Sequence, residues 1–470
     1  MSIRVSMSWG LLSALCVVPA CHDRAASSSP VPEPGPDDPL PAPPPATGAT
    51  FAQTKAQFEA EKPAYMQRQR ALLDARYDLS DSRRAVTMTR GKPVQDGVRV
   101  KLPDGVTWSS LAALSPDAIR DTDSFPRGFM PLPHPRHLEG GMVFPRFAID
   151  EILAQTGRDL TRFDIEFDLP DQFLPEFPPA MFLTTRLDLG DVSQGELVTT
   201  HNFYRLFEDK LNPKQLDGLR LLVFPFAQQQ FNLIDDRRSA EPQLGVACFD
   251  CHVNGHTNAA FHLVGDIRPQ DQRNRIDTSS LRGVNIQRSF GSQRALMSIE
   301  DFTEFEQRAA YFDGDISKAA LKGLNPLDRA SQVQNMAEVE RLLDFPPAPK
   351  LDGFGRLNAL ASDAERRGEA LFGGKARCIE CHGGPYFTDN SMHDLQLERF
   401  FKERVVSDQV ANGDGPIKTF TLRGIKESPP YLHDGRLLTL DDTVEFFNLV
   451  LQLQLTEPEK ADLLAFLLVL

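Results

Sequence analysis

From residue 51 onward, stretches rich in helix formers alternate with proline-rich stretches, and this pattern predicts a mainly α chain with long loops. Phe51 to Tyr77 reads as a helix interrupted only by Pro63. Lys92 to Val106, rich in Gly and Val, reads as a hairpin. Phe147 to Thr156 and Leu211 to Leu222 read as helices. Gly157 suits the stop of the first, and Pro213 suits the first turn of the second. Pro recurs from Pro126 to Pro179, so the rest of that stretch is expected to be irregular. Near the N-terminus an apolar run, Trp9 to Val18, follows Arg4 and is too short to span a bilayer.

That first run has the layout of a signal peptide over residues 1–20. It ends in Val18-Pro19-Ala20-Cys21, which resembles a lipoprotein cleavage box with Cys21 as the lipidated residue. Pro19 is an unusual neighbour there and leaves simple secretion open. Both readings place the mature chain outside the cytoplasm, in the periplasm, with membrane attachment if Cys21 carries lipid. Residues 21–50 are dominated by Pro, Ser and Ala and read as an extended tether. The formal net charge of −14 argues against nucleic acid and anionic lipid surfaces as partners. It permits docking of a basic protein and equally serves solubility.

The chemistry lies in two pentapeptides, Cys248-Phe249-Asp250-Cys251-His252 and Cys378-Ile379-Glu380-Cys381-His382. Two thiols can add to the vinyl groups of a haem, and the adjacent His can supply an axial nitrogen to iron. A zinc site would pair two Cys-x-x-Cys units about 15–20 residues apart. Here the units are 130 residues apart and each has its own His, so two covalent c-type haems are expected rather than zinc or a redox dithiol. Of six cysteines, only Cys16 and Cys21 fall outside the motifs, and both are N-terminal.

The segments after the motifs repeat at an offset of 141. Ser280-Leu281-Arg282-Gly283-Val284 matches Thr421-Leu422-Arg423-Gly424-Ile425, and Ser298-Ile299-Glu300-Asp301 matches Thr439-Leu440-Asp441-Asp442. Each half thus has a haem motif, an S/T-L-R-G segment and an S/T-capped acidic helix start. The expected organisation is two tandem cytochrome c-like haem domains, 217–355 and 356–470, preceded by an extra N-terminal region, 51–216, of unassigned role. His134, His137 and His201 in that region read as ordinary surface or core residues. Two haems in similar domains suggest electron transfer between them.

Arg367-Gly368-Glu369-Ala370-Leu371-Phe372, Phe387-Thr388-Asp389-Asn390, Lys418-Thr419 with Leu422-Arg423, and Pro430-Tyr431-Leu432-His433-Asp434-Gly435-Arg436 together resemble the bacterial di-haem cytochrome c peroxidase superfamily, which includes MauG. The resemblance covers roughly residues 217–470 and is most specific in the second half. It implies that the haem on His252 is the peroxide site and that the haem on His382 takes up electrons. The distal side of the first haem would be open or closed by a movable His, for which His256 and His262 are candidates. A distal acid should move a proton between the peroxide oxygens, and Glu304 and Glu306 are candidates. A Ca²⁺ between the haems would be held by Asp277 and the main chain around Ser428 and Pro430.

This chain departs from the family pattern at two points. The resemblance puts the distal ligand of the second haem fourteen residues past His433, at Phe447, which cannot bind iron. The second haem is then five-coordinate or ligated from elsewhere, with His433 and Met392 as the candidates. Family members often place Trp between the haems, in a Phe-Trp-Asp-Gly-Arg stretch, where this chain has Phe290-Gly291-Ser292-Gln293-Arg294. Transfer between haems would be direct or use Tyr311 or Phe290. Three functions follow. The first is reduction of hydrogen peroxide by electrons from a small periplasmic cytochrome c or cupredoxin. The second is a MauG-like oxidase or oxygenase acting on a protein or organic substrate through a high-valent di-haem state. The third is a non-enzymatic electron-transfer cytochrome. By family analogy the protein would be a homodimer.

Overall fold

Asn212 and Gln215 cap each other's main chain, and Pro213 opens the helix α3 (Pro213–Val223) as the sequence predicts. The other helices obey similar rules in this computed structural model, whose described residues are 51–133, 141–160, 169–225, 227–230, 238–244, 246–263, 275–292, 296–312, 331–402, 404–406, 409–411 and 413–470. The expected signal peptide and tether, and His134 and His137, lie outside them. Helix α1 (Phe51–Arg76) runs through Pro63. Helix α2 (Arg146–Thr156) stops at Gly157, whose φ of 71° is the left-handed conformation expected of a helix-terminating glycine. Downstream come α4 (Ile299–Phe312), α5 (Ser331–Glu340), α6 (Asp363–Gly373), α7 (Leu440–Val450) and α8 (Glu457–Leu467). The hairpin expected over Lys92 to Val106 is displaced: β2 (Pro93–Gln95) pairs backward with β1 (Arg83–Thr87). Gly97 and Gly105 both take positive φ and break the strand that the pattern suggested.

Strands are short and serve as staples between helical parts. β3 (Gly141–Val143), β5 (Phe261–Leu263) and β6 (Ile276–Asp277) form an antiparallel sheet in the order β3-β5-β6. β4 (Phe182–Leu183) pairs with β7 (Leu343–Asp344). β8 (Met392–Asp394) pairs with β9 (Pro416–Lys418). Helices carry most of the regular structure, but the fold is mixed rather than purely helical.

The apolar core is divided in a way the sequence did not announce. One cluster joins Tyr77, Phe125 and Phe129 of the extension to Phe400, Phe446 and Phe466 near the C-terminus. A second large cluster joins Phe144, Ile149 and Leu222 to Phe249, Val253 and Leu343 around the first motif. The region 51–216 therefore contributes to both cores, and the boundary expected at 216/217 falls inside α3. Polar straps reinforce the first attachment: the Arg99 and Val100 N–H groups donate to Asp442 Oδ1 at 2.7 and 3.0 Å. Two helix pairs need glycine at their crossings. A Cβ on Gly218 of α3 would sit 1.8 Å from the Asn335 carbonyl of α5, and one on Gly368 of α6 would sit 2.0 Å from the Asp462 carbonyl of α8.

The internal repeat is structural as well as textual. Gly283 and Gly424 have nearly the same left-handed conformation and each starts a short 3-10 turn. Phe290 bridges Leu296, and Tyr431 bridges Leu437, at the same offset of 141. The halves also exchange matching bonds. Asp277 N donates to the His433 carbonyl at 2.8 Å, and Lys418 N donates to the Ser292 carbonyl at 2.8 Å. Residues 277 and 418, like 292 and 433, are repeat partners. Such reciprocity is the mark of a pseudo-two-fold seam.

Candidate functional site

The first motif forms one helical turn, Cys248–Cys251, closed by a bond from His252 N to the Cys248 carbonyl. This puts both thiols and the His252 ring on one side of the turn, along a cleft of about 800 Å³ counting its open mouth. The lining is largely apolar and includes Met142, Val284, Phe290 and Phe302. His252 Nδ1 lies 2.9 Å from the Ser279 carbonyl. Burial lowers its pKa to about 4, so the ring is neutral. With Nδ1–H donating to the carbonyl, Nε2 keeps its lone pair for a metal.

The second motif repeats this arrangement. His382 N bonds the Cys378 carbonyl, and His382 Nδ1 lies 2.9 Å from the Phe387 carbonyl. Burial again lowers the pKa of the ring. The donor set at each motif, two thiols and one imidazole held by its far nitrogen, fits a c-type haem.

Two carboxyl groups line the first cleft, Glu306 from α4 and Glu340 from the end of α5. Glu306 is one of the two expected acids; Glu304 is half-buried on the same helix and does not line the cleft. Glu340 was not anticipated. It comes from a helix whose only signal was its apolar periodicity, and no local pattern marks its last residue as part of the site. Burial raises its pKa to about 7, and Thr303 Oγ1 donates to its Oε2 at 3.0 Å.

The remaining candidates fall in several places. His262 lies on β5 opposite Met142, a residue of the cleft wall, and its side chain is outside the described set, as is that of Tyr311. His256 is buried with both nitrogens engaged, by Ser280 Oγ at 2.8 Å and the Glu427 carbonyl at 2.9 Å, so here it bridges the two halves. His433 sits in the seam with Nε2 3.7 Å from Asp414 Oδ1. Met392 is half-buried on β8, paired with Lys418. Asp277 Oδ1 is buried with no hydrogen-bond partner among the described residues, and burial raises the pKa of the carboxyl. Pro430 and Asp277 both flank Gly435, within 2.8 and 3.7 Å of its Cβ position. Ser428 ends the 3-10 turn Ile425–Glu427 nearby in sequence, its Oγ donating to the Ile425 carbonyl. Phe447 stacks edge-on against Phe446, which is fully buried.

No protein-family model matches the chain. Among curated proteins, the cytochrome-c peroxidase IdrP1 of Denitromonas iodatirespirans is 30% identical over 151 residues, covering 23% of this chain and 40% of that protein. The methylamine utilization protein MauG of Methylorubrum extorquens is 33% identical over 132 residues, covering 24% and 36%. Over about a quarter of its length the chain is similar to cytochrome-c peroxidases and to MauG. It spans about two fifths of the length of the curated relatives it matches. A solved MauG-like protein associated with microbial copper homeostasis shares 18% identity over 48% of this chain and 81% of that one, with a TM-score of 0.36. Among the described residues no helix is long and apolar enough to cross a membrane.

Proposed function

We propose that the chain carries two covalent haems, on Cys248, Cys251 and His252 and on Cys378, Cys381 and His382, in two tandem cytochrome c-like domains. We further propose that it reduces hydrogen peroxide at the first of them. The observation that carries this reading is the pair of carboxyl groups, Glu306 and Glu340, facing the apolar cleft beside His252. A haem held by His252 Nε2 would supply the redox centre that delivers two electrons to the peroxide bond. The protein's part is proton management. Splitting H₂O₂ into two waters consumes two electrons and two protons, and one oxygen must be protonated as the bond breaks. Glu340, with a pKa near 7, can hold a proton at neutral pH and release it into the cleft. Glu306 provides a second carboxyl along the same wall.

The second motif supports the role of electron entry. Ile379 and Tyr386 are exposed, by 50% and 42%, on the segment that carries it. A small periplasmic cytochrome c or cupredoxin is the proposed donor. Asp277, Pro430 and the Ser428 main chain are the proposed Ca²⁺ seat, and the buried unpartnered Asp277 Oδ1 supports it. His433 or Met392 remains the proposed distal ligand of the second haem.

The test is donor-dependent peroxide consumption by the purified full chain, with optical and EPR spectra before and after one equivalent of H₂O₂. Turnover that falls about 10²–10⁴-fold in Glu340→Gln, with both haems retained, supports the proton role. A protein whose spectra ignore peroxide, as isolated and after partial reduction, is an electron carrier. Oxidation of a protein or organic substrate in place of donor-dependent turnover would favour the MauG-like reading.

A further inference from the structure

A buried lysine lies in the seam at the repeat partner of Asp277. Lys418 is 4% exposed, and its Nζ lies 5.6 Å from the centre of the Phe290 ring and 5.0 Å from that of Phe420. Nζ donates to Gln287 Oε1 at 2.5 Å. Among the described residues no carboxylate forms an ion pair with it. A buried ammonium without a counterion is costly unless something compensates. Here two aromatic faces and one amide oxygen do so.

Its surroundings tie it to both motifs. Phe290 is part of the wall of the first cleft. The main chain of Phe420, two residues on, lies against the His382 ring. Phe420 is the repeat partner of Ser279, whose carbonyl fixes His252. Gln287, which holds Nζ, is the repeat partner of Ser428. The two sides of the seam are therefore matched in position and different in chemistry: a carboxyl at 277 and an amine at 418.

We propose that Lys418 is a built-in cation between the two haem sites that raises the reduction potential of the haem at the first cleft. A fixed positive charge disfavours the more positive, oxidised form of a nearby redox centre, and low-dielectric surroundings strengthen the effect. Lys418 acts through the field it sets up and through the contact with Phe290; it is a positioning residue, not one that touches peroxide. The inference rests on the reading that both motifs carry haem.

The test is a spectroelectrochemical titration of the full-length holoprotein, preceded by a haem count for each sample. Lys418→Met is expected to keep two haems and to lower the midpoint potential of the first haem. Lys418→Arg, which retains the charge, is expected to stay near the wild-type potential. Two haems with an unchanged potential in Lys418→Met overturn the proposal alone. Equal shifts in both variants also overturn it, because they reflect packing rather than charge. Fewer than two haems in the wild-type chain overturn the underlying haem reading and this proposal with it. Should Lys418→Met fail to fold, Lys418→Gln replaces it, and an unchanged potential in that variant likewise overturns the proposal.

Discussion

At the first haem-type motif, Asp250 precedes the second cysteine and is buried; at the second motif its counterpart, Glu380, stands in solvent. Asp250 receives both arms of the Arg158 guanidinium at 2.7 and 2.6 Å and caps the Ala247 N–H at 2.7 Å. Glu380 meets Arg377 at 2.8 and 2.7 Å, with both side chains more than half exposed. The neighbouring apolar residues follow suit, since Phe249 is buried and Ile379 is not. The two pentapeptides are chemically alike, so the difference arises outside them. It comes from the extension, which supplies Arg158 and walls the first motif with Phe144 and Ile149. One copy is thereby set against a largely apolar cleft, and the other lies nearer the surface.

Removing the thiols tests the comparison most severely. Cys248→Ala with Cys251→Ala, and separately Cys378→Ala with Cys381→Ala, should each reduce covalent haem from two per chain to one by intact-mass measurement. Peroxide reactivity should vanish in the first pair, whereas reduction by the donor should fail in the second. The next largest effect is expected at Arg158. Arg158→Ala strands a buried carboxylate and should cost about 3–5 kcal/mol in thermal or denaturant unfolding. Arg377→Ala, the matched change at the exposed motif, should leave Tm unchanged; equal losses at the two sites would show that the burial contrast is wrong.

A smaller effect is expected from pH. The folded-state pKa of Glu340 is raised to about 7 from the ordinary 4.5, so the folded protein favours its protonated form. The contribution of Glu340 is fully present below about pH 4.5 and is lost as pH rises through about 7, by at most roughly 3 kcal/mol. Glu340→Gln should flatten this part of the Tm–pH curve, and an unaltered slope would contradict the burial of that carboxyl. The smallest change expected is at Glu304. Glu304→Gln should leave peroxide turnover near wild type, because this side chain does not line the cleft.

The local features of the site were legible in the sequence because they are local. The two pentapeptides, the repeat at 141, the stop at Gly157 and the start at Pro213 each depend on neighbours within a few residues. Glu306 was within reach because it follows the repeated helix start. Glu340 was not, because it reaches the cleft only through the crossing of α3 and α5 at Gly218. The displaced hairpin has a similar cause: the partner of Pro93–Gln95 lies before it, and alternation cannot say on which side a strand will pair. His256 looked like a free ring near a haem, and only the tertiary contact with the Glu427 carbonyl shows that it is tied down. The division of the extension between two cores had no signature, since apolar residues carry no address.

The bond between Arg99 and Asp442 joins residues 343 positions apart, and the aromatic contact of Phe129 with Phe446 is nearly as distant. A clasp of this kind is synthesised long before the part it closes upon. Tyr77, Phe125 and Phe129 have to remain soluble while most of the chain is still being made, and they find their partners only near its end. Non-local closure of this sort slows folding and lengthens the time that apolar surface stays open to aggregation. The same arrangement makes α7 and α8 the step that completes this cluster, so a chain cut short before residue 440 would leave Tyr77, Phe125 and Phe129 without their distant partners.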